Sequence, residues 1–267
     1  MMNIYFQEIK FYRRSTIIWA LALSVMVFSF LSIFNSFSSD VEQARHLLSS
    51  YPPQVLAALN LQIGIFFTIY GFFAYLLTFT WLAGSIQAMN LGISVLSKEI
   101  SGKTADFLVS KPISRFRLLT QKLVAVLTLV ILTNIAFITS AYASAKIFSP
   151  TDFDNKIFFL IAGTLLFVQL VFLFLGFLLG AVVRKIKTVA AYSLPIVFSF
   201  FILSAFGSVI GKKEVEYFTP FKYFNAPYIV DHVSYEPKFI WIICGIIVIS
   251  TVISYFVYLR KDIEAVG

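Results

Sequence analysis

Charge is what this 267-residue chain has least of: Asp, Glu, Lys and Arg together make up 13% of it, about half the share of an ordinary soluble domain. Apolar residues supply 59%, and the mean hydropathy is +0.88. That balance excludes a soluble globular domain and fits an integral membrane protein. Cysteine is nearly absent as well. The single Cys244 lies in an apolar run, so neither an intramolecular disulfide nor a cysteine-based zinc site can form. Histidine is limited to His46 and His232, which lack the close spacing of metal ligands and read as loop residues.

The charges that exist avoid six windows altogether: Thr16–Phe37, Leu61–Gly84, Leu123–Ala145, Ile157–Val183, Thr188–Ile210 and Phe239–Leu259. Each is long enough to cross a bilayer, which takes ~20 apolar residues in a helix. Runs of this length are not the alternating pattern of a barrel strand, so helices are the only backbone that lipid permits here. The expected fold is therefore all-α: one polytopic membrane domain over residues 1–267 with six transmembrane helices. The empty windows also exclude functions. With no acid in them, no intramembrane hydrolase can be assembled. Carriers coupled to protons or sodium generally place ionisable groups inside their spans, and there are none. No charge ring or filter-like loop suggests a channel. The neutral Thr133, Asn134, Ser140 and Gln169 either line a path or bond between helices.

The net charge of +8 could suggest nucleic acid, but the distribution of basic residues gives a simpler account. With the N-terminus inside, fourteen of the 21 Lys and Arg residues fall in inner segments, including Lys10, Arg13, Arg14, Arg184, Lys185 and Lys187. That bias predicts a multi-pass cell-membrane protein with both termini in the cytoplasm, whose basic rim meets anionic lipid. The first window lacks a small-residue cleavage site and reads as a retained span.

Between the windows, residues 3–14 pattern as an amphipathic helix along the inner surface, with Ile4, Tyr5, Ile9 and Tyr12 set among charges. Outside, Asp40 can cap a short helix through Leu48, and Pro52-Pro53 can open another carrying Val55, Leu56 and Leu59. These are expected at the outer interface or in a packed loop. Gly176 with Gly180, and Gly207 with Gly211, have the four-residue spacing that lets membrane helices approach closely. Pro195 should bend the fifth span. The outer loop, 211–238, is rich in aromatics and broken by Pro220, Pro227 and Pro237; it reads as an interfacial loop or a lid over an exit path.

The longest inner interruption is residues 97–122, SKEISGKTADFLVSKPISRFRLLTQK, with six basic and two acidic residues. The helix of the second window can run inward past Gln87 and Asn90, and Gly102 offers it a stop. Thr104 can cap a new short helix with Asp106 in its first turn, and Pro112 ends that helix before Lys111. Ser114 can cap the next helix, which continues into the third span. Punctuation alone thus predicts a helix of one to two turns, showing Phe107 and Leu108, strapped between two membrane helices. Gly102-Lys103-Thr104 is not a phosphate loop: position 97, where the motif's first glycine belongs, is Ser97, and no strand precedes it.

Glu99, the Gly102-Lys103-Thr104 step, Leu108, Ser110, Pro112, Ser114, Arg115 and Lys122 resemble the pattern of the bacterial type-two ABC exporter permease family. The six-window layout and the long outer loop before the last span are similar too, so the resemblance covers the whole chain. Lys103, between the glycine and the threonine, is one departure. The resemblance implies a membrane subunit, not an enzyme, that pairs with a second permease subunit, identical or not. It also implies a cytoplasmic ABC ATP-binding subunit, with ATP and Mg on that partner and no cofactor on this chain. The family's coupling helix maps onto Thr104–Ser110, and the residues expected to meet the ATPase are Glu99, Thr104, Asp106, Phe107, Leu108, Ser110, Pro112 and Arg115. Export of a hydrophobic or amphipathic compound follows from the same likeness. The rival reading is a non-transporting scaffold or sensor whose inner segment binds a signalling protein.

Overall fold

The computed structural model describes residues 4–34, 41–59, 61–101, 114–183, 185–211 and 213–260. Its elements are helices: α1 (Ile4–Ser32), α2 (Val41–Ser49), α3 (Pro53–Ala58), α4 (Ile63–Phe66), α5 (Ile69–Ser101), α6 (Arg115–Phe148), α7 (Asn155–Val182), α8 (Ala190–Ile210), α9 (Ala226–His232) and α10 (Pro237–Arg260). Short 3-10 turns at Lys213–Tyr217 and Pro220–Lys222 lie between α8 and α9. No strand occurs among the described residues. Six helices, α1, α5, α6, α7, α8 and α10, are long and apolar enough to span a membrane, one for each uncharged window. This is an all-α polytopic membrane fold. The two ends of the bundle are called inner and outer below, after the orientation expected from charge.

At the centre, α5 packs along α7. The contact is close enough that a Cβ on Gly92 would lie 2.7 Å from the backbone nitrogen of Phe177, and one on Gly180 would lie 2.9 Å from the Ile93 carbonyl oxygen. The Gly176–Gly180 pair expected to bring helices together does so within one chain, against Met89, Gly92 and Ile93. The second glycine pair works differently. Gly211 ends α8 in the left-handed conformation, at φ 69°, and Gly207 makes room for Val215, so neither supports a helix–helix seam.

Around this seam, α1 packs on α6, α10 on α7, and α8 on α5. The outward faces of α1, α8 and α10 are apolar and exposed, with Ile18, Phe206 and Val252 among them. α3 opens at Pro53, where the proline pair is expected to start it, and α2 covers Val41–Ser49; Asp40, the expected cap of α2, lies outside the described residues. The second span begins at Ile69 rather than Leu61, because Gln62–Phe67 turns as a separate helical piece. The Thr68 hydroxyl then accepts from the Gly71 amide at 3.2 Å, capping the new helix.

The N-terminal residues are helical as expected, but they do not form a separate helix lying on the membrane. They are the first turns of one continuous α1, and Ile4, Glu8, Tyr12 and Thr16, four residues apart, form its buried stripe. The cause is Glu8, whose carboxylate has partners inside the bundle. Pro195 lies inside α8, where its missing N–H leaves the Ala191 carbonyl without the usual helical donor.

Candidate functional site at the inner end of the bundle

Three charged side chains meet where α1, α5 and α6 converge. The Lys122 ammonium donates to Glu8 Oε1 at 2.9 Å and to the Val95 carbonyl at 2.9 Å, and Lys98 pairs with Glu8 Oε2. Lys122 is fully buried and Glu8 is 3% exposed. The carbon stem of Lys98 brings its ammonium over the rings of Phe11 and Tyr12, at 4.3 and 5.0 Å from their centroids. Lys98 lies within the last turn of α5, and Lys122 about two turns inside α6. The cluster therefore sits at the end of the bundle, not at its midplane, and the six windows remain uncharged. A buried carboxylate with two ammonium partners satisfies its lone pairs in a way that neither lysine alone would allow.

Other bonds tie the same end together. The Ser114 hydroxyl accepts from the Arg117 amide at 3.4 Å, capping α6 as its sequence position predicts. Arg115 Nη1 donates to the Leu259 carbonyl near the end of α10 at 3.4 Å. The Thr120 and Tyr255 hydroxyls are 2.8 Å apart. The start of α6 is thus fastened to α1 on one side and to α10 on the other.

Of the residues expected to meet an ATPase, Arg115 is placed at this end, and Glu99 belongs to the last turns of α5. Thr104, Asp106, Phe107, Leu108, Ser110 and Pro112 lie outside the described residues, as do Gly102, Lys103 and Lys111. The expected short helix at 104–110 is therefore bracketed by α5 and α6 without being described itself. Sequence reasoning missed Glu8 and the role of Lys122. The available signal was the four-residue stripe Ile4, Glu8, Tyr12, Thr16, in which a lone acid holds a buried position.

Further toward the midplane, neutral polar groups link α5, α6 and α7. Asn134 Nδ2 donates to Gln169 Oε1 at 2.5 Å, and Gln169 Nε2 donates to Gln87 Oε1 at 3.1 Å. Gln87 Nε2 donates to Thr133 Oγ1 at 2.9 Å, whose hydroxyl donates to the Leu129 carbonyl at 3.0 Å. Thr133, Asn134 and Gln169 therefore bond between helices rather than line an open path. Ser140 donates to the Phe137 carbonyl of its own helix.

The outer end is closed by rings. Phe221, Tyr223 and Phe224 are buried against the bundle instead of facing headgroups, while Tyr217 and Phe218 stay exposed. Phe221 lies 5.3 Å from Phe172 of α7, and Tyr223 stacks on Phe239 at 5.1 Å. The Thr219 hydroxyl donates to the Phe200 carbonyl at 3.0 Å. That acceptor lies ten residues before the end of α8, so the segment reaches ~15 Å down that helix. Irregular backbone at such depth is tolerated because protein surrounds it. Beneath it is a cavity of about 90 Å³, lined among others by Tyr75, Trp81, Thr164, Lys222 and Glu236. Burial pushes the Tyr223 and Tyr235 phenols up to about 12 and lowers the Lys222 ammonium, against an opposing pull from Glu216.

Among the described residues, no three His, Cys, Asp or Glu side chains gather into a metal-sized cluster. His232 instead stacks on Tyr228 at 4.1 Å.

Six apolar spans, bonded internally by neutral groups and fastened by charge at one end, define a polytopic integral membrane protein. The family model for the ABC-2 family transporter protein matches residues 2–263, and the chain belongs to that family. No curated protein matches it individually.

Proposed function

We propose that this chain is the membrane subunit of an ATP-driven exporter, with both termini in the cytoplasm. It moves a hydrophobic or amphipathic compound and binds a separate ATP-hydrolysing subunit through residues 104–110. A second permease subunit, identical or homologous, pairs with the exposed apolar faces of α1 and α8. ATP and Mg belong to the partner, and this chain catalyses no reaction.

The observation that carries this reading is the Glu8–Lys98–Lys122 cluster. α5 and α6 are the two helices that flank the expected docking segment. The cluster joins both of them to α1, so a push on the segment is delivered to three spans as one body. Packed helices respond to such a push by rigid-body shifts rather than gradual deformation. Alternating access at the interface between subunits follows, with the outer aromatic segment acting as a lid over the exit.

The test is the double variant Phe107→Asp, Leu108→Asp, assayed with the ATPase subunit in proteoliposomes. Transport-coupled ATP turnover should fall to the level of the ATPase alone, with the permease still folded. Normal coupling would assign docking to a different surface. Copurification of a signalling protein in place of an ATPase would favour a scaffold.

A further inference from the structure

Just beyond the charged cluster, a cleft of about 250 Å³ opens between α1, α5 and the start of α8. Ser15, Thr16 and Trp19 of α1, Gln87 and Asn90 of α5, and Ala190 of α8 are on its walls, and among the described residues no acid, lysine, arginine or histidine lines it. Asn90 is eight residues outward from Lys98 on α5, or ~12 Å along the helix, which places the cleft in the inner half of the spans.

A groove lined with polar groups at that depth is costly unless something satisfies them. Some of its groups are already engaged. The Ser193 hydroxyl donates to Asn90 Oδ1 at 2.6 Å, Gln87 uses both ends of its amide, and Thr16 donates to the Tyr12 carbonyl at 3.1 Å. Three donors are not. The Asn90 amide nitrogen, the Trp19 indole N–H and the Ser15 hydroxyl have no partner among the described residues, and all belong to side chains that line the cleft. The Trp19 ring adds a flat apolar wall beside them.

From these groups we infer that the cleft binds the head of an uncharged, acceptor-rich amphiphile, one presenting carbonyl, ether or glycosidic oxygens. Three unengaged donors call for acceptors. An ionised head would lose its hydration without gaining a counter-ion. The volume lies below the ~300 Å³ at which sites for whole drug-sized ligands begin, so the cleft takes a head and leaves the tail outside. Exposed Leu194 and Phe198 on α8, one and two turns beyond the cleft-lining Ala190, supply an apolar track for that tail. This deepens the export reading by naming the class of cargo, and it rests on that reading only for the direction of movement.

The test uses photoreactive dodecyl probes with a diazirine in the tail, added to the full chain in nanodiscs without nucleotide or ATPase. The heads compared are glucoside, trimethylammonium and sulfate, with a diacylglyceryl glucoside as a second neutral arm. The neutral probes should label Leu194–Phe198 saturably, and the charged probes should not. Asn90→Leu and Trp19→Phe should each weaken half-saturation about fivefold, the loss expected for one hydrogen bond. Trp241→Phe, on the exposed face of α10, should change nothing. Labelling by the single-chain glucoside alone identifies a solute cargo, and labelling by both neutral probes a membrane lipid; either supports the inference. Equal labelling by all heads, or Asn90→Leu and Trp19→Phe proteins that label normally, would overturn it. Since no ATPase is present, a failed docking assignment would leave this result untouched.

Discussion

At the inner end of the bundle a carboxylate and two ammonium groups hold three helices together; at the outer end the same task falls to Phe221, Tyr223, Phe224 and a few phenol hydrogen bonds. The ionic end is specific in geometry and intolerant of losing a member, because each charge depends on the others for its partner. The aromatic end is held by area and shape, and its rings can slide or part without stranding a charge. The proposed exporter, pushed from inside and opened outside, would use that asymmetry as a stiff joint where force enters and a separable seal where cargo leaves.

The comparison breaks most sharply at Glu8. Glu8→Ala removes the carboxylate from the fully buried Lys122 and the partly exposed Lys98, and should destabilise the protein by about 3–5 kcal/mol, read as a fall in thermal midpoint in detergent. Adding Lys122→Met should restore a substantial part of the loss, because an apolar side chain of similar length then fills the site. A double variant as unstable as the single one would mean that packing, not charge, holds the inner end.

Alkaline titration separates the two ends next. The folded-state pKa values of Tyr223 and Tyr235 lie above the ordinary phenol value, at about 12. Their contribution is complete below pH 10 and is lost as pH climbs toward 12. Lys222 acts in the opposite sense: its pKa is lowered by burial, so the cost of keeping it charged is relieved as pH rises toward 10.5. With two phenols against one amine, amide exchange in 213–236 should accelerate between pH 10 and 12 once the intrinsic base catalysis is divided out. Exchange in α1 should not show that acceleration.

The smallest effect belongs to the midplane. Gln169→Leu removes bonds to Asn134, Gln87 and the Gly84 carbonyl, yet hydrogen bonds between membrane helices average only ~0.6 kcal/mol. A loss of about 1–2 kcal/mol, with no change in coupling, is the expected outcome of unfolding and turnover assays. A larger effect on turnover than on stability would give this ladder a part in transport.

Much of the fold was legible because lipid leaves the sequence little freedom. Uncharged windows set the spans, prolines opened α3 and the spacing of Gly176 and Gly180 marked a close helix contact. Ser114 capped α6 where the punctuation put it. The rest depended on partners distant in sequence. Glu8 reads as a surface acid until Lys122, 114 residues later, is seen beside it. The outer aromatics read as interfacial until Phe172 and Phe201 are known to receive them. Gly207 and Gly211 repeat a helix-packing spacing, but one accommodates Val215 and the other ends a helix, a distinction that spacing alone cannot make. The coupling residues 104–112 are legible as punctuation and by resemblance, and their arrangement lies outside the described residues.

The most direct measurement is transport of a neutral amphiphile by the purified chain in sealed vesicles, with and without its ATPase subunit and ATP. Six windows empty of ionised groups leave no motor within the bilayer interior, so the account predicts accumulation against a gradient only when both are present. Concentrative transport by this chain alone, with no nucleotide-hydrolysing subunit in the vesicle, would contradict it.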